Sequence, residues 1–327
     1  MNALEEALAR IAKSAQLADE KAYTFRGMLY GPSGGGKSTI AAMIMRTIID
    51  KDAGDIILHI DTSEGYVSWR NHPGLSSGIM TLPFTTFEDL ESIAQGIAQK
   101  IAPFDKVKGI ILDEGSKMAE QDVIRVLEKR RQGVYGERFQ QTAGAITEGA
   151  DYQIALERYR KMSYMLYDNR DLHVIVCAHQ SEKKDRTGAI VGVFPSFSPK
   201  IAQAVKEPLH LSAHLIGTVE ANLQNPGQPS YKRIAQVHPS VMVDAKCRMS
   251  IRQTSVNADD LPRLIKSWLD AGGMQVKADD KPREEVHTVE TITSAINGAI
   301  AEPNAIAVDE PQSDALDLSD LGLTIVE

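Results

Sequence analysis

The chain has 327 residues, 36 Lys and Arg against 44 Asp and Glu for a net charge of -8, 43% hydrophobic residues and two cysteines. Cys177 and Cys247 are too few for a disulfide framework and lack the CxxC spacing of a zinc site, while the apolar content can fill one large α/β core or two ordinary ones. The opening MNALEEALARIAKSAQLADEKAY has no signal-peptide apolar stretch, and no apolar run approaches the ~18 residues of a membrane span; a soluble, cytoplasmic protein without membrane contact is expected.

The charge is unevenly spread. Ten acids and no base follow Arg283, so residues 1–283 hold 36 basic against 34 acidic side chains. A slightly basic body with an acidic tail can bind polyanions through local patches, with the tail competing for them.

In chain order, ALEEALARIAKSAQLADE (3–20) has near-helical apolar spacing and predicts an amphipathic helix. AYTFRGMLYG predicts a strand running into a glycine-rich loop, and STIAAMIMRTIIDK the helix after it. DIILHID (55–61), KGIILDE (108–114) and LHVIVCAHQ (172–180) are continuous apolar runs that suit parallel strands covered on both faces. Helical patterns separate them: FEDLESIAQGIAQKI before the third strand and ADYQIALERYRKMSYMLYDN before the fourth. The alternation predicts an α/β fold with a mainly parallel sheet. GAIVGVFPSF, LHLSAHLIGTVE, YKRIAQVHP and VMVDAKCR read as further, antiparallel strands extending that sheet, and LPRLIKSWLDAGG as a last helix. The expected organisation is an N-terminal helix over 1–22, one α/β domain over 23–275 and an acidic, disordered tail over 276–327.

Chemistry concentrates at the strand ends. Gly31, Pro32, Ser33, Gly34, Gly35, Gly36, Lys37, Ser38 and Thr39 match GxxxxGK[ST] between a strand and a helix, the context that makes this pattern a triphosphate-binding loop. Its glycines let backbone N–H groups curl around phosphates. Lys37 reaches the β- and γ-phosphates, Ser38 ligates Mg²⁺, and the helix presents its positive end. Asp113, ending IILDE, would hold the same Mg²⁺ through water. Asp61 and Glu64 in HIDTSEG reach the same sheet edge, so Glu64 and Glu114 compete for the base that orients the attacking water. His179 and Gln180 end VIVCAHQ, where an amide can hydrogen-bond a γ-phosphate; a polar cap on a buried strand explains them equally on chemistry alone. Lys246 and Arg248 in DAKCRM face one side of a strand, as phosphate ligands or as guards of an exposed edge.

This order of motifs resembles the RecA-like ATPase superfamily, and more narrowly phage-encoded RecA-like proteins that assist single-strand annealing recombination. The resemblance covers roughly 23–275. It implies Mg²⁺-dependent ATP hydrolysis with Glu64 preferred as base, although HIDTSEG carries one more residue between its acids than the RecA pattern. It further implies Gln180 as the γ-phosphate sensor, and Lys246 and Arg248 as a Lys-x-Arg pair completing the neighbouring subunit's site. The implied protein acts on single-stranded DNA as a homo-oligomeric ring or filament, in a bacterial host's cytoplasm, with the acidic tail free to dock a single-strand binding or replication protein. Lys129, Arg130, Arg131, Arg138, Lys183, Lys184 and Arg186 are the DNA-facing candidates, and 131–160 reads as an insertion loop over DNA; solvated surface is the plainer explanation of each basic cluster. Two other readings stand beside this one: a DnaB-like helicase or helicase loader, and a slow nucleotide switch recruiting partners through its tail.

Overall fold

Every second residue of the central strands is apolar on one sheet face and its neighbours are apolar on the other, which is why these segments appear as unbroken hydrophobic runs. Met28, Tyr30, Ile110, Leu112, Val174 and Val176 join one core. Leu29, Ile111, Ile175 and Cys177 join the core on the opposite face. The computed structural model describes residues 23–50, 53–63, 65–70, 72, 74–130, 149–220 and 230–273. The chain divides into units Met1–His287 and Thr288–Glu327, and all described residues belong to the first. The helix expected over 3–20 and the tail expected from 276 lie outside the described residues.

The strands are β1 (Arg26–Gly31), β2 (Ile56–Asp61), β3 (Ile79–Pro83), β4 (Val107–Leu112), β5 (His173–Lys184), β6 (Ile190–Pro195), β7 (Leu211–Glu220), β8 (Ser230–Gln236), β9 (Lys246–Cys247) and β10 (Ser255–Asn257). The helices are α1 (Lys37–Ile48), α2 (Val67–Arg70), α3 (Phe87–Ala98), α4 (Gly115–Arg130), α5 (Gly149–Tyr167), α6 (Pro199–Lys206) and α7 (Leu261–Asp270). Sheet order is β10-β8-β7-β1-β5-β4-β2-β3, with β6 on β5 and β9 on β7. From β7 to β3 every adjacent pair is parallel. The α/β fold with a mainly parallel sheet is therefore as expected, with antiparallel strands added toward the C-terminal side.

Helices α3, α4, α5 and α6 cover one face through Phe87, Leu90, Met118, Leu156, Met162, Ile201 and Val205. Helices α1 and α7 cover the other through Ile40, Ile44, Leu261, Ile265 and Trp268. Thr86 caps α3, its hydroxyl accepting the Asp89 N–H at 2.9 Å.

Three expectations need correction. The strand LHLSAHLIGTVE is parallel to β1, not antiparallel; β6, β8, β9 and β10 are the antiparallel additions. Strand VMVDAKCR shrinks to the two residues of β9; just before it, Val193 of β6 donates its N–H to Met242 O and accepts from the Asp244 N–H. The 131–160 loop is helical from Gly149, and 131–148 lie outside the described residues.

Strand β1 begins between two imidazoles. The Phe25 N–H donates to His173 Nδ1 at 2.9 Å and the Arg26 N–H to His210 Nδ1 at 3.1 Å. Only a neutral ring offers a lone pair at Nδ1. Burial, reinforced by Lys108, pushes His173 down to about 4. Burial, with Arg26, Arg248 and Lys246, does the same to His210. Each folded pKa lies below the usual ~6.5, so this stability is complete above pH ~6.5 and drains as pH falls toward 4. Melting temperature should therefore drop steeply between pH 7 and 4.5. His173→Asn with His210→Asn, which keeps an acceptor in place but cannot protonate there, should flatten that drop; an unchanged pH profile would discard the explanation.

Candidate nucleotide site

The carboxyl ends of β1, β2, β4 and β5 converge because their registers align Gly31 with His179, Ile60 with Leu112, and Leu112 with Val176. This is the edge at which open α/β sheets place ligands. Four loops leave there and each contributes side chains.

The phosphate loop leaves β1 and enters α1. Gly36 immediately precedes the helix at φ 81, a left-handed conformation that strains any residue with a Cβ. A Cβ on Gly31 would collide with the Leu215 carbonyl oxygen of β7. The loop is therefore a bare-backbone cradle at the N-terminus of a 12-residue helix, whose first bond is Ile40 N–H to Gly36 O at 2.9 Å. Lys37 is 7% exposed and folds back to donate to Gly31 O at 3.2 Å and Pro32 O at 2.7 Å. Burial lowers its pKa, while Cys177, Asp113 and Glu114 pull the other way. A cation held by two carbonyl oxygens exchanges them readily for phosphate oxygens, so the residues fit a polyphosphate.

Asp113 and Asp61 are buried, at 1% and 5% exposed. A Cβ on Gly65 would meet Asp113 Oδ2 at 2.7 Å, Asp61 Oδ2 at 3.4 Å and Ser38 Oγ at 3.4 Å. One hydroxyl and two carboxylates around a glycine form the oxygen-rich set that a hard divalent cation such as Mg²⁺ prefers. His59 stands behind them, fully buried, with Nε2 3.2 Å from Asp113 Oδ2; its ring packs edge-on against Trp69 at 5.3 Å. Ligand atoms of His59, Asp61 and Asp113 all lie within 4.8 Å of one another. His59 was not singled out in the sequence, where a lone polar residue inside DIILHID carries no motif.

Glu64 lies outside the described residues. Its competitor Glu114 is described in full and is tightly held. Its carboxylate accepts from Thr62 Oγ1 at 2.6 Å, lies 2.9 Å from His179 Nε2 and 3.3 Å from Lys117 Nζ. Its backbone is left-handed at φ 59, rare for a residue with a side chain. Burial works against its charge, but hydrogen bonds from Thr62, Ser63, His179 and Lys117 win and bring the carboxyl down to about 2. A carboxylate so acidic is a weak proton acceptor.

Gln180 is oriented from both ends: its Oε1 accepts from His214 Nε2 at 2.9 Å and its Nε2 donates to Glu182 at 3.1 Å. Burial, then Lys37, pushes His214 down to about 4, keeping the ring neutral. The ring also stacks on Tyr30, 5.0 Å away. A chain of contacts thus runs from Gln180 through His214 to β1 beside the loop.

Lys246 and Arg248 lie elsewhere. Cys247 pairs with Leu211, and Leu211 with Gly27, so β9 sits where β1 begins, at the other end of that strand from the phosphate loop. Lys246 donates to Lys206 O at 2.6 Å and Glu207 O at 2.7 Å, and Arg248 to Glu207 O at 3.1 Å. The pair does face one way, onto the carbonyls that end α6. Burial, then Arg248 and Lys206, lowers Lys246 to about 8.

Gly65 offers a direct check of the cation site. A Gly65→Ala methyl would displace the Asp113 carboxylate while leaving the core untouched. The variant should fold with little change in melting temperature yet need at least tenfold more Mg²⁺ for half-maximal nucleotide binding. Wild-type Mg²⁺ dependence would place the cation away from Asp113.

A family model described as an AAA domain matches residues 24–249. No curated protein matches the chain. No described helix is long and apolar enough to cross a membrane. The matched span runs from the residue before Phe25 to Met249, taking in the phosphate loop, the carboxylates, Gln180 and the β9 cations; the chain belongs to this AAA-type P-loop ATPase family.

Proposed function

We propose that the protein is a DNA-stimulated ATPase that assembles on single-stranded DNA and promotes annealing or strand exchange, as the RecA-like annealing proteins it resembles do. One observation carries this reading. Strand β5 does not stop at Gln180 but continues through Lys184 and returns as β6 in an antiparallel hairpin. Lys183, Lys184 and Arg186 are exposed on it, and Phe194 is 36% exposed opposite Ser181. The turn is fixed by Asp185, which accepts from the Thr187 and Ala189 N–H groups at 2.8 and 3.0 Å. Cations beside an aromatic ring suit single strands, whose backbone is anionic and whose bases stack. The hairpin grows from the residue that would sense the γ-phosphate, so one strand joins the two sites. The side chains of Lys129 and Arg130, and all of Arg131 and Arg138, lie outside the described residues.

ATP with Mg²⁺ would supply the scissile phosphoanhydride and its charge-neutralising metal. The chain's own residues have separable tasks. Lys37 and the loop N–H groups hold the phosphates, Ser38 and Asp113 with Asp61 hold the cation, and His59 holds Asp113 in place from behind. Glu64 is the proposed base, since Glu114 is committed to Thr62 and His179; Glu114 instead orients that corner. Gln180, steadied by His214, reads the γ-phosphate and passes its state along β5. Lys246 and Arg248, remote from their own chain's loop, serve the site of a neighbouring subunit, which makes a homo-oligomer part of the reading.

Turnover measured with and without single-stranded DNA tests the core claim. DNA should raise kcat, and Lys37→Ala should abolish turnover without unfolding the protein. Replacing Lys183, Lys184 and Arg186 together by alanine should weaken DNA binding and make its salt dependence shallower by roughly 0.7 per lost phosphate contact. Turnover indifferent to DNA would favour the nucleotide-switch reading, and unaided unwinding of a forked duplex the helicase.

Assembly is tested by mixing. Arg248→Ala and Lys37→Ala subunits should each be nearly inactive, since an arginine supplied to a transferring phosphate is worth about 10³ or more in rate. Mixed assemblies should recover part of the turnover, because the Lys37→Ala subunit lends its Arg248 to an intact loop. No recovery in verified mixtures would return the pair to its role at the end of α6.

A further inference from the structure

We propose that Arg233 is a second phosphate-binding cation of the same site, supplied by the chain's own antiparallel edge and held in waiting by Asp259. The proposal rests on the nucleotide-binding reading above and adds a residue that no part of the phosphate-loop motif contains.

The geometry begins with a glycine. Arg233 on β8 is paired with Gly217 on β7. Directly opposed residues of an antiparallel pair project to the same face. Gly217 offers no side chain there, so nothing of its own stands between a long arginine and the end of β1. The arginine uses that opening: a Cβ built on Gly36 would meet Arg233 Cδ at 2.7 Å and the guanidinium Nη1 at 3.1 Å. Gly36 is the last loop residue before Lys37. Its glycine identity is required by its φ of 81, and a Cβ there would also have to push the arginine aside.

The guanidinium also has an acidic neighbour. Arg233 Nη2 lies 3.7 Å from Asp259 Oδ1, with the two side chains 20% and 42% exposed. That distance is an ion pair without a good hydrogen bond, and an arginine has five N–H donors arranged in a fork. A phosphate in the cradle is a stronger, doubly charged competitor for those donors, and it lies beside the same Nη1. Asp259 belongs to the 3-10 turn Ala258–Asp260 that leads directly into α7. Loosening the pair therefore couples phosphate binding to α7, which shares a core with α1 through Leu261, Ile265, Ile40 and Ile44.

Purified full-length protein and two probes test this: ADP and inorganic tripolyphosphate, each titrated with Mg²⁺ by calorimetry. Arg233→Gln should weaken both about tenfold or more, the scale of a hydrogen bond to a charged group. Asp259→Asn should tighten both severalfold, because it removes the competing carboxylate. Opposite signs in the two variants exclude a merely structural pair, which would lower melting temperature in both and move binding the same way. Tripolyphosphate affinity unchanged by Arg233→Gln would overturn the proposal even if ADP weakens, since the arginine would then contact base or ribose. A folded wild type that binds neither probe would instead overturn the nucleotide-binding reading beneath it.

Discussion

The close approach of β7 to the start of the phosphate loop is the constraint on which the site depends. The Leu215 carbonyl occupies the space where residue 31 would carry a Cβ, and the same oxygen lies 3.5 Å from the Cβ position of Gly35. Backbone is packed against backbone, which fixes the loop's path without any side chain crossing the space meant for phosphate. That packing requires β7 to lie parallel beside β1, with Tyr30 opposite His214. It also requires β5 on the other side in register through Gly31 and His179. The central strand is therefore clamped between the two strands that carry Gln180 and its partner His214. Disturbing β7 would spoil the cradle and the seating of Gln180 together.

Charge at this edge is managed by neutral imidazoles and committed carboxylates. His214 is kept uncharged by burial and by Lys37, so it adds no repulsion next to the one buried lysine of the loop. Asp113 has the buried His59 on one side and the Cys177 thiol on the other, whose own ionisation burial pushes far up. Glu114 is fully charged yet bound by several donors. The two aspartates also have polar partners: His59 lies 3.2 Å from Asp113, and the Ser63 N–H donates to Asp61 Oδ1 at 2.9 Å, the condition under which burial of polar groups is tolerated. A divalent cation would find these carboxylate oxygens already gathered.

Much of this was legible in the sequence, and the failures have physical causes. The loop, Asp113 and the four apolar strands are local patterns, and each fell where its pattern put it. Strand β3, IMTLP, went unread because four half-buried residues and an exposed proline show neither alternation nor a long apolar run. Helix α4 has few apolar residues, and α6 is only eight residues long beside Phe197 and Pro199, so neither announces itself against its surroundings. Strand direction is not written in a strand at all: β7 looks the same parallel or antiparallel, and only its neighbours decide. The grip of Thr62 and His179 on Glu114 joins residues 52 and 65 positions apart, beyond any spacing rule. Arg233 is the extreme case, an ordinary basic residue in YKRIAQ that acquires its place only through Gly217 across the ladder.

The three basic residues singled out on the C-terminal side then divide along the sheet. Arg233 lies at the loop's end of β7, near Gly36, while Lys246 and Arg248 lie where β7 begins. Lys246 is paired with Ser212 and Arg233 with Gly217, so five residues of β7 separate them, roughly 17 Å at the usual rise. Lys246 and Arg248 are engaged on the carbonyls that end α6, so the two sets do not meet at one phosphate within this chain. If both act on phosphate, they act on different copies: Arg233 on the site of its own chain, and Lys246 with Arg248 on the site of a neighbour. The strand β7 would then be the rigid connection between a subunit's own nucleotide and the one it helps to complete. Its N-terminal half is fully buried, from Leu211 to Leu215, and it is hydrogen-bonded to β1 and β8. Such a strand moves as a unit or not at all. In the assembly proposed above, a change at the Gly217 end would therefore reach the β9 end through backbone pairing rather than through side chains.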